Sequence, residues 1–345
     1  MKLEQKVVRL ARRPEGRLTE DIFDVQSEGM RVLEEGEFLL RVDYLAMDPA
    51  LLSRMRDEDN YTVGIAPGDV MQANGVGVVI ESRHPTVRVG DVRVGQTGMR
   101  EFVYLNNTSS TRSVDAQGVE ARWYLGVLGT TGLTPVLALR KIGEPKPGET
   151  VLISSGGSVV GSIAAQLVKR IGCRAVAIVS TPEKSRQMIE EWGYDAAIAY
   201  RGRSIDELSE QIAIHCPDGV DVYFDNTGGD ITEAVMDQYN IFARHIVTGR
   251  VAIAHLKDTR DDIGRRDQNV ALVKRVRKQG FVVLDHLDER EGVEAELKQL
   301  IANGELKFKE DIVQGIQRAP EAFFRMVNGA SLGKQLVAIG HVDAE

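Results

Sequence analysis

The chain has little cysteine, few aromatics and no long apolar run, and each shortage excludes something. Two cysteines, Cys173 and Cys216, rule out a disulfide framework. They equally rule out a four-cysteine structural zinc site. The six histidines stand singly, with no HxxxH spacing and no CxxC to accompany them. A catalytic zinc needs about three protein ligands, so the sequence reads as metal-free. No segment approaches the roughly 18 consecutive apolar residues that a membrane helix needs. The opening MKLEQKVVRLARRPEG has no apolar core of signal-peptide length and looks instead like a first strand. A cytoplasmic location is expected. Positive charge is in deficit: 43 Lys and Arg against 51 Asp and Glu leave a net −8. That balance argues against general nucleic-acid binding and against an anionic membrane surface.

What is present is a chain of 345 residues, 43% hydrophobic and 27% charged, long enough for two domains with cores of their own. Its two parts carry different rhythms. Through about residue 125, short strand signals alternate with glycine turns. EGEFLLRVDYLAM alternates apolar and polar positions, NGVGVVIES is a glycine-rich strand, and RVGDVRVGQTGMREFVYL reads as two strands joined by turn residues such as Gly90-Asp91. A compact β-barrel-like domain fits this pattern. Further on, apolar strands alternate with helical stretches. Strands are predicted at 151–154, 175–180, 196–200, 220–225 and 245–249, with helices near 159–171, 182–192, 204–214 and 230–240. Continuous apolar strands alternating with helices predict a parallel sheet covered on both faces, the doubly wound α/β class. From about residue 311, the chain reads as a helix and a last strand that could return to the first domain.

The stretch TVLISSGGSVVGSIAAQLVKRIG holds the main motif. Gly156-x-Ser158-x-x-Gly161 is the dinucleotide fingerprint with serine in place of its middle glycine. It follows a strand, opens a helix and starts a βαβ series, which is the context the motif requires. Free N–H groups and the positive dipole end of the helix favour an anion. Gly156 and Gly157 are expected to allow the tight turn, and Gly161 to let the helix pack on the sheet. The Ser158 hydroxyl can donate to a phosphate oxygen. The competing reading is a structural strand–helix turn in a fold that binds no nucleotide.

An NAD site would place an acidic residue at the tip of the second strand, about 20 residues on. Here the strand ends at Ser180-Thr181-Pro182-Glu183-Lys184. Hydroxyls and a lysine suit a 2′-phosphate, which favours NADPH; Glu183 weighs mildly the other way.

The segments LGVLGTTGLTPVLAL, KPGETVLISS, STPEKSRQM, EEWGYDAAIAY, CPDGVDVYFDNTGG and GELKFKEDIVQGIQRAPEAF resemble the zinc-independent medium-chain reductases. The closest group is the NADPH-dependent double-bond reductases, and the likeness runs over nearly the whole chain. It implies a GroES-like catalytic β-barrel domain at 1–128, a Rossmann NADP-binding domain at 129–310 and a return to the catalytic domain at 311–345, in a homodimer. It places Ser158, Val159, Val160 and Gly161 in the diphosphate loop. Lys184 and Tyr200 then take the 2′-phosphate and adenosine end, and Asn226 lines the cofactor groove. Thr248, Gly249, Arg250 and Val251 lie along the nicotinamide. The backbone of Phe281, Val282 and Val283 binds its carboxamide. Ser331 stands where the family has a late asparagine near the cofactor.

The departures fall on the substrate wall, to which Ala50, Asn74, Thr130 and Ala254 are assigned. Ala254, followed by His255, replaces the family's tyrosine at the end of the nicotinamide segment. The family's DPYM is Asp48-Pro49-Ala50-Leu51, and a tyrosine of some plant members falls at Asn74. Losing three aromatic or phenolic groups widens the pocket and removes a hydroxyl that could stabilise an enolate. The implied chemistry is hydride transfer from NADPH to the β-carbon of an α,β-unsaturated carbonyl. Charge then develops on the carbonyl oxygen, where a donor lowers the barrier. Tyr44, His255 and the cofactor's own ribose hydroxyl are the candidate donors. Two alternatives stay open: a quinone reductase of the same fold, and an NADPH-binding sensor without catalysis.

Overall fold

The computed structural model describes residues 4–14, 18–56, 64–253, 256 and 259–340. The chain divides into two compact units, 1–126 with 310–345, and 127–309.

The first unit begins with β1 (Glu4–Leu10) and β2 (Phe23–Gly29), an antiparallel ribbon. There follow β3 (Phe38–Ala46), the single turn α1 (Leu51–Arg54), β4 (Asn74–Ser82), β5 (Val92–Gln96), β6 (Phe102–Leu105) and β7 (Thr111–Ser113). The strand β3 divides one edge between two partners: Phe38–Arg41 pairs with β6, and Tyr44–Ala46 pairs with a strand from the far end of the chain. The register shift between Val42 and Tyr44 is where it changes partner. An irregularity of this kind turns a sheet corner, which is how the unit becomes barrel-like. The Gly90-Asp91 turn, with Gly90 at φ +94°, does not join the two strands as expected: it lies at the entry to β5, and residues 97–101 link β5 to β6.

The second unit supplies α2 (Thr130–Ala138), β8 (Thr150–Ser154), α3 (Val159–Ile171), β9 (Arg174–Val179), α4 (Pro182–Trp192), β10 (Ala196–Ala199) and α5 (Ile205–His215). It continues with β11 (Val220–Asp225), α6 (Gly229–Val235), β12 (Tyr239–Val247), α7 (Gln268–Lys274), β13 (Arg277–Gly280) and α8 (Arg290–Ala302). Among the described residues its sheet has six parallel strands in the order β10-β9-β8-β11-β12-β13. All five residues of β8 are buried, as a strand covered on both faces must be. Leu152, Val176, Ile178 and Tyr223 point to one face and pack with Leu208 and Ile212 of α5 and Ile231 and Val235 of α6. Strand alternation sends Val151, Ile153 and Ala177 to the other face.

The helix expected at 230–240 stops at Val235, passes through one tight turn at Met236–Gln238 and gives way to β12 at Tyr239. The strand is therefore longer than the predicted 245–249. No glycine or proline marks the stop: Met236 and Tyr239 are both buried, and packing rather than a breaker residue ends the helix.

The chain returns to the first unit as β14 (Glu310–Gln314), α9 (Ala319–Val327) and β15 (Lys334–Ala338). The strand that shares the edge of β3 is β15, and β14 lies parallel to β15. The sequence pattern predicts a helix and one strand here. EDIVQ is a second strand, half-buried along most of its length and so weak in apolar pattern.

Candidate functional site

In a doubly wound sheet, ligands bind beyond the carboxyl ends of the strands, where the strand order reverses. Here the order reverses between β8 and β11. The loops leaving those two strands therefore flank a crevice, and the loops after β9, β10, β12 and β13 open on the same edge.

The loop after β8 is held by its own backbone. Ser155 takes φ +54°, whereas neither Gly156 nor Gly157 takes a positive φ. The expectation that the two glycines make the tight turn is thus corrected: a serine carries the left-handed residue. Gly156 is needed for room instead, since an added Cβ would stand 2.7 Å from the Cβ of Ala177. Gly161 is needed likewise, with an added Cβ 2.6 Å from the Ser155 carbonyl oxygen. Ser158 is the N-cap of α3, and its hydroxyl oxygen accepts the Gly161 N–H at 3.1 Å. Its own hydrogen stays available to an anion. Beneath the loop, the buried Tyr194 hydroxyl lies 3.1 Å from the Gly156 carbonyl oxygen and 2.8 Å from that of Gly161. Burial pushes its pKa far up, so it remains a donor. Of the two residues behind Ser158, Val159 packs inward and Val160 is half-buried.

The opposite wall converges on the end of β11. The Nδ2 of Asn226 donates to the Ser154 carbonyl at 2.7 Å, and the Thr248 hydroxyl lies 2.9 Å from Asn226 Oδ1. An added Cβ at Gly249 would meet the Asn226 carbonyl oxygen at 2.5 Å, so the segment after β12 lies flat on the segment after β11. The Ala252 N–H reaches the Thr227 carbonyl at 2.9 Å and continues that contact past Arg250 and the exposed Val251. The Phe281 N–H bonds to the Val247 carbonyl at 2.9 Å, and its ring stacks on His286 at 5.1 Å. Val282 and Val283 follow it, half-buried.

Lys184 stands in the first turn of α4, behind the N-cap Thr181. Burial lowers its pKa first, and the charge of Arg201 lowers it further. A half-buried lysine that feels the charge of an exposed arginine suits a doubly charged phosphate. In register, Ala199 lies beside Val179, which sets Tyr200 and Arg201 next to the Ser180–Lys184 turn. Arg201 was missed by the sequence reading; its signal was a basic residue directly after the strand that ends at Ala199.

Asp225 was also missed. Burial alone would raise its pKa, yet the hydrogen bond and charge of His245, the Thr232 hydroxyl and the Gly228 N–H outweigh this and bring it down to about 2. Cys173 and Cys216 are free and buried, and burial raises their thiols to about 11 and about 12. Such thiols are poor nucleophiles.

The remaining candidates lie elsewhere. Thr130 opens α2 and is half-buried. Tyr44 on β3, Ala50 before α1, Asn74 at the start of β4 and Ser331 ahead of β15 all belong to the first unit. The Tyr44 ring lies 5.7 Å from the guanidinium carbon of Arg122, which also bonds Glu310 at 2.7 Å. Asp48, beside Ala50, pairs with the buried Lys334. Ala254 and His255 lie outside the described residues. Among the described residues, no group of three or more His, Cys, Asp and Glu is placed to hold a metal ion.

Residues 6–113 match a family described as the N-terminal domain of oxidoreductase, and residues 159–301 one described as zinc-binding dehydrogenase. The NADPH-dependent curcumin reductase of Escherichia coli is 32% identical over 337 residues, covering 97% of this chain and 96% of that protein. The chain belongs to the zinc-independent, NADP-dependent double-bond reductases of the medium-chain family. The NADP(+)-dependent 2-alkenal reductase of Nicotiana tabacum is 32% identical over 299 residues, 86% of this reductase and 85% of that one. The solved structure of CurA from Vibrio vulnificus in complex with NADPH superposes with a TM-score of 0.90 at 29% identity, covering 98% of this chain and 100% of that chain. The reductase is an NADP(H)-dependent oxidoreductase, and the helix terminus, the glycine clearances and the Lys184–Arg201 pair fit that cofactor.

Proposed function

We propose that this reductase reduces the C=C bond of an α,β-unsaturated carbonyl compound with NADPH. The observation that carries the reading is the crevice at the strand-order reversal. It has a capped helix N-terminus on one side and a lysine–arginine pair along the same edge. The relatives named for curcumin and 2-alkenal reduction support the substrate class. When bound, NADPH supplies the hydride that adds to the β-carbon.

The protein's own part is binding and orientation. The α3 amides and the Ser158 hydroxyl hold the diphosphate. Lys184, Arg201 and Tyr200 hold the 2′-phosphate and adenosine end, while Asn226, Thr248 to Val251 and Phe281 to Val283 set the nicotinamide. Ser331 completes the cofactor set. Ala50, Asn74, Thr130 and Ala254 are the residues assigned to the substrate. Tyr44, His255 and the cofactor's own ribose hydroxyl are the candidates for the hydrogen bond that stabilises the developing oxyanion. The catalytic domain covers 1–128 and 311–345, and the NADP-binding domain 129–310.

The enzyme works in the cytoplasm as a homodimer. Buried free thiols accord with a reducing compartment. Strand β13 is an edge strand exposed at all four residues, with Leu272 and Val273 of α7 exposed nearby, an arrangement that favours pairing with a second copy. The test follows NADPH absorbance with a panel of enones and enals and a panel of quinones. Turnover on the enones and enals is expected. Turnover on quinones alone, or tight NADPH binding with no turnover on either, would overturn the substrate assignment, and a monomer in light scattering would overturn the dimer.

A further inference from the structure

On the α5–α6 face of the sheet a buried polar chain runs beneath the floor of the cofactor crevice. His245 on β12 is 2% exposed, as is Asp225 at the end of β11. Its Nε2 lies 3.1 Å from Asp225 Oδ2, and its Nδ1 lies 3.1 Å from the Tyr239 hydroxyl. Its ring tilts against Tyr223, with centroids 4.9 Å apart. An ionised carboxylate only accepts, so Nε2 must carry a hydrogen, which fixes that side of the ring. Nδ1, on the other side, is left to accept from the Tyr239 hydroxyl. Among the described residues, the charged groups that act on this ring include Asp225 on β11 and Asp267 ahead of α7, which pairs at 3.0 Å with Lys278, the register neighbour of His245 on β13.

Asp225 converts that contact into the shape of the floor. Its Oδ1 accepts the Thr227 N–H at 3.0 Å and the Gly228 N–H at 2.9 Å, and lies 3.2 Å from the Ser154 hydroxyl. Its Oδ2 accepts the Thr232 hydroxyl at 2.6 Å. Its backbone carbonyl accepts the Thr248 N–H at 2.8 Å and the Thr248 hydroxyl at 2.9 Å. One residue thus ties together the ends of β8, β11 and β12, whose next residues include Asn226, Thr248 and Gly249.

We propose that His245 is a positioning residue for the coenzyme: through Asp225 it fixes the loops after β11 and β12 in the geometry that receives the nicotinamide half of NADPH. The inference rests on the cofactor reading above. Removing the imidazole takes one of the two donors from Asp225 Oδ2, leaving the Thr232 hydroxyl alone on that oxygen, and loosens the carboxylate. Taking a donor from a buried carboxylate is costly, and here the relaxation that relieves it moves the cofactor floor.

The test measures NADPH dissociation constants of the full chain by fluorescence titration, with a melting curve for each variant. His245→Leu is expected to weaken NADPH binding by about tenfold. His245→Gln, which keeps an N–H close to the position of Nε2, is expected to restore affinity to within about twofold. Should His245→Leu fail to fold, Tyr239→Phe decides: it strips the partner of Nδ1 and is expected to weaken binding by about threefold. Wild-type affinity in a folded His245→Leu, equal losses in the Leu and Gln variants, or an unchanged Tyr239→Phe in its place would overturn the proposal. A wild-type protein that takes up no NADPH would instead overturn the cofactor reading itself.

Discussion

Ser158 Oγ accepts the Gly161 N–H at 3.1 Å, so the residue that stands in place of a fingerprint glycine is the cap of α3. The substitution changes how the helix terminus is satisfied when no phosphate is present. A glycine would leave that N–H to solvent. Ser158→Ala is expected to lower stability by about 1 kcal/mol, and Ser158→Gly by only a few tenths of that. Urea denaturation of both variants checks the ordering. Equal costs would show that the hydroxyl contributes nothing as a cap.

Coenzyme preference is expected to sit on Lys184 and Arg201. Lys184→Ala should weaken NADPH by about tenfold and leave NADH nearly unchanged, and Arg201→Ala should act in the same direction. Calorimetric titration with both coenzymes measures the ratio. A parent protein that binds the two equally would refute the assignment.

Asp225 sets an acid limit. Its pKa falls from 3.8 in the unfolded chain to about 2 in the fold. A depressed carboxylate contributes stability above the unfolded value and loses it as pH falls through the folded one. The contribution is about 2 kcal/mol, present above about pH 4 and gone by about pH 2. In Asp225→Asn, the stability lost between about pH 5 and about pH 2 should shrink by that amount. Denaturant midpoints across that range test it, and an unchanged slope would remove Asp225 from the account.

Activity is expected to survive exhaustive treatment with a chelator, since no cluster of metal-binding side chains is formed among the described residues. Loss of turnover that zinc restores would contradict the metal-free reading.

Much of the α/β unit was legible because its strands are continuous apolar runs and its helices carry readable punctuation. Thr181 followed by Pro182 opens α4, Ser204 with Glu207 forms a capping box on α5, and Gly172 and Gly193 close α3 and α4 in the left-handed conformation. The end of α6 was illegible because burial of Met236 and Tyr239, not a local residue, sets it. In the site, Ser158, Gly161 and Lys184 could be read from spacing and chain order. Tyr194, Asp225 and His245 could not. Their roles depend on parallel strands bringing residues 20 or more positions apart into contact, as Asp225 and His245 are, and no local pattern records that pairing. The left-handed Ser155 was hidden for a different reason: Gly156 and Gly157 after it offered the cheaper conformation, and the chain uses Gly156 for clearance.

The partition between the sheet's interior and its rim has an engineering consequence. Lys184 is half-buried and Arg201 is exposed, in turns at the rim of the sheet, whereas Ser154, Asp225 and His245 are sealed within it. Redesigning which dinucleotide is accepted should therefore be cheap in folding free energy, while altering the nicotinamide end would put the whole sheet at risk. A library aimed at coenzyme exchange belongs at the first location and should leave the second untouched.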